Sequence, residues 1–462
     1  MILLSQVAQA VGGTLNGLDA ECVAVKMDSR SIQENDFFVA IPGEKYDGHD
    51  YVQAAAQNGA VGAMVSTLQN TQVTQILVED TTKALGLLGK YWRACFDIPV
   101  IAITGSNGKT TVTALISSIL NMTGCCLSPK GSFNNQWGVP LTLLELRETH
   151  DYIVVEMGMN HSGELDYLSN LTTPDVALIN NAAPAHLEGL GSVEKIAEAK
   201  GEIFNGLTTE GTAILNADDD FCEYWKKDLL VQNSDRRILT FGRHPDADVV
   251  MSNLTLQESG SSFDLKIDQQ TINVEIPLLG EHNAMNAAAA ACAVYAIGLN
   301  PMQIREGLKQ GRAVAGRLTM RKGLRGSLVV DDSYNANPSS MKVAIDVLSN
   351  TRQRGILVLG EMAELGVNSH ELHHEIGKYA KDSGIAKFYC LSEKDTAASS
   401  HYVDGYGKDG NRFTSLEKLV EELKAELDQN VLVMIKGSRS SGMERVVNEI
   451  TNVESNCGGA LC

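Results

Sequence analysis

The sequence lacks an excess of basic charge. Lys and Arg number 38 against 57 Asp and Glu, so the 462-residue chain carries a formal charge of −19. That argues against non-specific binding of nucleic acid or an anionic membrane, which needs a basic face, but does not exclude a local basic pocket for a small anion. Cysteine is also sparse and unpatterned: nine residues, with no CxxC pair and no zinc-like clustering. Such a set reads as reduced packing residues in the cytosol. No apolar run approaches the roughly 20 residues of a membrane span, which argues against membrane insertion. The opening MILLSQVAQAVGG has no basic n-region and reads as a short amphipathic helix, not a signal peptide. Together these place the protein in the cytoplasm. Long repeats and low-complexity tracts are absent too.

What is present is ordinary globular composition, 44% apolar and 21% charged, over a length that suits about three domains. Residues 1–97 alternate short strands and helices. FFVAI (37–41) is closed by Pro42-Gly43, YVQAAAQNGA (51–60) is helical and ILVED (76–80) extended. Residues 98–315 form a central unit. IPVIAIT (98–104) reads as a strand buried on both faces, and Val112, Leu115, Ile116, Ile119 and Leu120 form a helical stripe. YIVVEMG, DVALIN, TAILN and RILTFG continue the βα pattern, whereas 246–277 alternates polar and apolar residues, as antiparallel strands do. Residues 316–462 hold SLVVDD, GILVLG, KFYCL and NVLVMIKG, read as a further parallel α/β unit. The fold class is therefore α/β in three domains: a small N-terminal one, a central mononucleotide-binding one with added antiparallel strands, and a Rossmann-like C-terminal one.

TGSNGKTT (104–111) joins the buried strand to the amphipathic helix. Gly105 and Gly108 let successive N–H groups, with those of Ser106 and Asn107, turn toward phosphate oxygens. The helix N-terminus adds positive potential there. Lys109 can reach the β- and γ-phosphates, and Thr110, followed by Thr111, offers a hydroxyl to Mg2+. The pattern is the short GxxGKT. A P-loop GTPase should carry an NKxD-type motif, but NAAPAH follows DVALIN. A simple kinase has no evident need of three domains. A ligase that phosphorylates a carboxylate and couples it to an amine must gather three ligands, which domain closure suits.

Other polar residues are further candidates, Glu156 among them at the strand edge where an open α/β sheet binds ligands. Glu156 ends a strand, as a Mg2+ ligand or a solvated acid. His186 follows a strand, as a metal ligand, a base or a satisfied loop histidine. Asn283 and Asn286 share a helix face, with amides suited to a purine edge. Lys200 lies on a helix, where lysine is usually a solvated charge. Tyr334, Asn335 and Asn337 lie on a loop after SLVVDD, and Pro338 fits the start of a helix. Ser29 and Arg30 are donors suited to a uracil or a pyrophosphate.

TGSNGKTT with the later motifs, in order over nearly the whole chain, resembles the Mur ligase family of ATP-dependent amide ligases. DSRSI (28–32) with IPGEKYDGHD (41–50) looks like the family's UDP-binding domain. SFNNQWGVPLTLL (132–144) and LVLGEMAELG (357–366) resemble the branch that joins D-alanyl-D-alanine to a UDP-N-acetylmuramoyl-tripeptide. The branch that adds a diamino acid often carries a DNPR-like motif, absent here. The resemblance implies ATP and Mg2+, with Glu156 as a metal ligand beside the phosphate loop, His186 as a ligand to a second Mg2+, and Lys200 as a Mg2+ ligand once carbamylated by CO2. It assigns Asn286 to adenine with Asn283 beside it, Arg317 to ATP and Asp332 to ribose. It implies substrate contacts from Ser29, Arg30, Asp47, Gly48, His49, Asn134, Asn135, Tyr334, Asn335 and Asn337. His370, Lys436 and Arg439 either bind the dipeptide or simply occupy loops. The expected species is a monomer.

Overall fold

The computed structural model describes residues 2–451 apart from 44, 130, 132, 185, 186, 258, 259, 394 and 395. Three main sheets follow one another along the chain, beside a two-stranded antiparallel pairing of Ile2–Leu3 with Glu21–Cys22. The first has the strand order Thr14–Asn16, Thr74–Leu77, Gly62–Val65, Phe37–Val39, Val25–Lys26. It is parallel except for the first pairing. The N-terminal helix Leu4–Val11 buries Leu4, Val7, Ala8 and Val11 against this unit. Their i, i+3, i+4, i+7 spacing is the amphipathic stripe expected of it.

The central sheet has nine strands. Val100–Thr104, buried throughout, lies between Tyr152–Glu156 and Val176–Ile179, parallel to both. The chain thus crosses over its first strand between the second and third of these three. That crossover is the topological switch point at which ligands of such sheets bind. Thr212–Asn216 and Arg237–Gly242 extend the sheet in parallel. Val249–Gln257 then continues it, and Gly260–Ile267 and Gln270–Ile276 add antiparallel pairings, as the alternation predicts. Helices cover both faces. Lys109–Leu120, Glu281–Ala296 and Pro301–Lys309 pack on one. Gly138–Leu144, Glu164–Thr172, Val193–Gly201 and Cys222–Gln232 pack on the other.

The C-terminal sheet runs Thr319–Lys322, Leu328–Asp332, Val431–Lys436, Arg354–Leu359, Lys387–Leu391, Gly410–Phe413. It is not purely parallel, contrary to the expectation from sequence. Thr319–Lys322 pairs antiparallel with Leu328–Asp332. Its alternate residues Met320 and Lys322 are exposed, so this edge strand shows no apolar run. No described helix is long and apolar enough to cross a membrane.

Candidate active site

The carboxyl edges of the central and C-terminal sheets face a shared cleft of about 1150 Å3. Its walls include Ser106–Thr111, Asn134, Asn135, Glu156, Asn283 and Asn286 from the central unit. Arg317, Asp332, Tyr334, Asn335, Asn337 and Arg439 come from the C-terminal one. Most of the residues singled out from sequence therefore converge, although up to 333 positions separate them.

The phosphate loop is held by asparagines. Gly108 adopts φ +81° at the N-cap of the helix Lys109–Leu120, a conformation that favours glycine. A Cβ there would overlap the carboxamides of Asn286 and Asn180. The Ser106 amide donates to the Asn181 carbonyl at 3.0 Å, and the Asn107 amide to Asn181 Oδ1 at 2.9 Å. Asn180 Nδ2 donates to both the Asn107 carbonyl and Asn286 Oδ1 at 2.9 Å. Asn286 Nδ2 in turn donates to Asn283 Oδ1 at 3.1 Å. Asn283 and Asn286 line the cleft; in this structure Asn286 braces the loop through Asn180, and Asn283 steadies Asn286 while donating to the Leu279 carbonyl at 2.8 Å.

Lys109 Nζ folds back to the Gly105 carbonyl at 2.7 Å. Burial lowers its pKa, Glu156 opposes that, and Arg317 lowers it further. Glu156 is almost wholly buried. It accepts from the Thr110 hydroxyl at 2.8 Å and from Asn134 Nδ2 at 2.7 Å. The Thr110 and Glu156 oxygens are hard donors that suit Mg2+, an ion that completes its shell with water and substrate phosphates. No cluster of three or more His, Cys, Asp or Glu able to hold a metal occurs among the described residues. His186 lies outside the described residues.

Lys200 is 2% exposed. Burial, reinforced by the Lys109 charge and opposed by Asp219, pushes its pKa well below the lysine range. It is therefore not the solvated helix charge that its type suggests. Asp219, unremarked within the run Asp218–Asp220, accepts from the Ala182 amide at 2.8 Å and the Phe221 amide at 3.0 Å. It thereby fixes the turn that carries Asn180 and Asn181.

On the facing wall, the Arg317 guanidinium stands 4.4 Å from the centre of the Tyr334 ring, and that of Arg439 stands 5.9 Å from it. Asp332, assigned by resemblance to ribose, accepts from Lys436 Nζ at 2.5 Å and from the Leu318 amide at 3.2 Å. Burial raises its pKa and Lys436 opposes the rise. Lys436 also donates to the Asn335 carbonyl at 2.9 Å, so its ammonium is already engaged. His370 is exposed, packs on the His401 ring and does not line the cleft.

The N-terminal candidates lie elsewhere, since the cleft wall includes none of them. Arg30 turns back on Asp28 at 2.8 Å, and Ser29 is buried in the same turn. His49 Nδ1 donates to Asp47 Oδ1 at 2.6 Å while its Nε2 accepts from the Ser66 amide at 2.9 Å. Gly48 sits against the backbone of Ala40 and Ile41. In this structure Asp47 and His49 fasten their own loop. Asn135 Oδ1 accepts from the amides of Trp137 and Gly138 at the start of Gly138–Leu144. Asn180, Asp219 and His282, which also lines the cleft, were not singled out from sequence. The only signals were an Asn pair after a strand, an acidic run and the histidine of GEHN.

Comparison with known proteins agrees with this arrangement. Residues 21–92 match the model of the Mur ligase family catalytic domain, 103–294 the Mur ligase middle domain, and 316–439 the Mur ligase glutamate ligase domain. The chain is 37% identical over 452 residues to the UDP-N-acetylmuramoyl-tripeptide–D-alanyl-D-alanine ligase of Escherichia coli (strain K12), covering 97% of this chain and 98% of that one. The crystal structure of MurF from Acinetobacter baumannii superposes with a TM-score of 0.89 at 32% identity, covering 96% and 97% of the two chains. MurF from Thermotoga maritima in complex with ADP gives a TM-score of 0.80 at 26% identity, over 92% and 96%. The chain belongs to the Mur ligase family.

Proposed function

We propose that this protein is an ATP-dependent amide ligase that joins D-alanyl-D-alanine to UDP-N-acetylmuramoyl-tripeptide in peptidoglycan synthesis. The observation that carries this reading is the near-full-length similarity to a ligase of that name. The cleft adds chemical support, because a phosphate loop and two guanidinium groups face one volume.

ATP phosphorylates the terminal carboxylate of the tripeptide, giving an acyl phosphate and ADP. The free amine of the dipeptide attacks the acyl carbon, and the tetrahedral intermediate expels phosphate. No nucleophilic side chain is required. The loop amides hold the nucleotide phosphates, while Lys109 and Arg317 neutralise charge on the transferring phosphoryl group. Thr110 and Glu156 would hold one Mg2+ and His186 a second, and the ions would supply charge neutralisation to the transferring phosphoryl group. A neutral Lys200 amine is the form that CO2 carbamylates, converting it to a carboxylate-like ligand. Residues 1–97 hold the UDP end of the substrate, 98–315 hold ATP, and 316–462 receive the dipeptide, with Arg439, paired with Glu444 at 3.2 Å, as a cation on the cleft wall. The reading places a monomeric enzyme in the cytoplasm.

The test is ADP release by the purified protein with UDP-N-acetylmuramoyl-tripeptide while the amine is varied. Dependence on D-alanyl-D-alanine is expected. Dependence on a free diamino acid with the dipeptide precursor would overturn the substrate assignment. Nucleotide binding with no amine-dependent turnover would make the chain a non-catalytic relative.

A further inference from the structure

Asn107 is bonded from two directions. Its backbone belongs to the central unit: Asn181 Oδ1 accepts from the amide, and Asn180 and Asn181 donate to the carbonyl. Its side chain belongs to the C-terminal unit. Asn107 Nδ2 donates to Ser339 Oγ at 2.8 Å, and Asn337 Nδ2 donates to Asn107 Oδ1 at 2.8 Å. Ser339 Oγ donates onward to Asn337 Oδ1 at 3.0 Å. Three side chains thus close a ring of hydrogen bonds across the cleft. Asn337 also caps the helix Pro338–Ser349, accepting from the Ser340 amide at 2.9 Å. The ring is therefore anchored in a rigid element on one side and in the phosphate loop on the other.

We infer that Asn107 is a positioning residue that latches the phosphate loop to the helix Pro338–Ser349, making nucleotide binding and docking of the C-terminal unit one coupled equilibrium. Its amide is satisfied only when Asn337 and Ser339 are in place. A nucleotide that orders the loop presents the Asn107 side chain for docking. Docking in turn holds the loop in its phosphate-binding form. The coupling is reciprocal by linkage. It rests on the nucleotide-binding part of the proposed function and not on the identity of the amine.

The experiment measures the affinity of the full chain for a non-hydrolysable ATP analogue by calorimetry, and compaction on its addition by small-angle scattering. The variants are Asn107→Ala, Ser339→Ala, the double variant and Ser339→Thr. Each single Ala variant is expected to lose about 3- to 10-fold in affinity, the scale of one or two neutral hydrogen bonds, and to compact less. The double variant is expected to bind no more weakly than Asn107→Ala, and Ser339→Thr, which keeps the hydroxyl, to bind as the parent does. Losses that multiply in the double variant, or compaction unchanged in Asn107→Ala, would overturn the latch. Because no turnover is measured, a wrong amine assignment leaves this result readable.

Discussion

Asp332 and Lys436 face each other at 2.5 Å as register partners at the ends of adjacent parallel strands. Both are buried, so each charge depends on the other for compensation. Lys436→Met is expected to lower stability by about 3–5 kcal/mol, the usual result of stranding one member of a buried pair. Urea unfolding of Lys436→Met and of Lys436→Met/Asp332→Leu checks this. The double variant should recover most of the loss, and a single-variant loss below about 1 kcal/mol would contradict the pairing.

Gly108→Ala should weaken both stability and nucleotide binding. It combines a positive φ with overlap against Asn286 and Asn180. Gly163, also at positive φ and also preceding a helix, has open space around it. Gly163→Ala therefore isolates the backbone strain, about 1–3 kcal/mol. Gly108→Ala should lose more than that in thermal unfolding and should also lose ATP-analogue affinity. Equal losses at both positions would mean that the asparagine contacts do not constrain the loop.

His282 provides a pH prediction. Burial, with a smaller effect from the Lys436 charge, depresses its pKa from 6.5 to about 4. The unfolded chain then takes up this proton first as the pH falls, so the contribution to stability is complete above about 6.5 and is lost between there and about 4. Denaturant midpoints across that range should fall less steeply in His282→Gln. Parallel curves for parent and variant would show that His282 titrates normally in the folded protein.

Lys200→Ala should abolish ligation while leaving the fold intact, and acetate or bicarbonate should restore part of the rate. Depleting CO2 should slow the parent enzyme as well. Full activity in Lys200→Ala, indifferent to added carboxylate, would remove the carbamate from the mechanism.

The parts of this molecule that were legible in sequence are those where one rule dominates. Val100–Thr104 is buried on both faces and reads as a continuous apolar run. The helix Lys109–Leu120 follows from its stripe, and the added strands from their alternation. The edge strands Thr319–Lys322 and Gly410–Phe413 gave no such signal, because partly exposed strands tolerate polar residues on both faces. At the site, residue type and position indicated the phosphate loop and Glu156. They did not indicate partnership. That Lys436 neutralises Asp332, that Asp47 pairs with His49, and that Asn180 braces the loop all depend on which strand ends become neighbours. That information lies in the topology rather than in any local spacing.

The helix Glu281–Ala296 has a mechanical consequence. Ala284 and Ala287 to Ala291 are fully buried, beside Cys292 and Val294, so small side chains, most of them single methyl groups, set its distance from the sheet beneath it. Alanine has no side-chain rotamers to exchange. The spacing is therefore a fixed dimension and not an average over packings, and Asn286 transmits it to the phosphate loop through Asn180. In this respect the helix acts as a gauge block: adding one methyl group to its inner face would shift the floor on which the nucleotide phosphates rest.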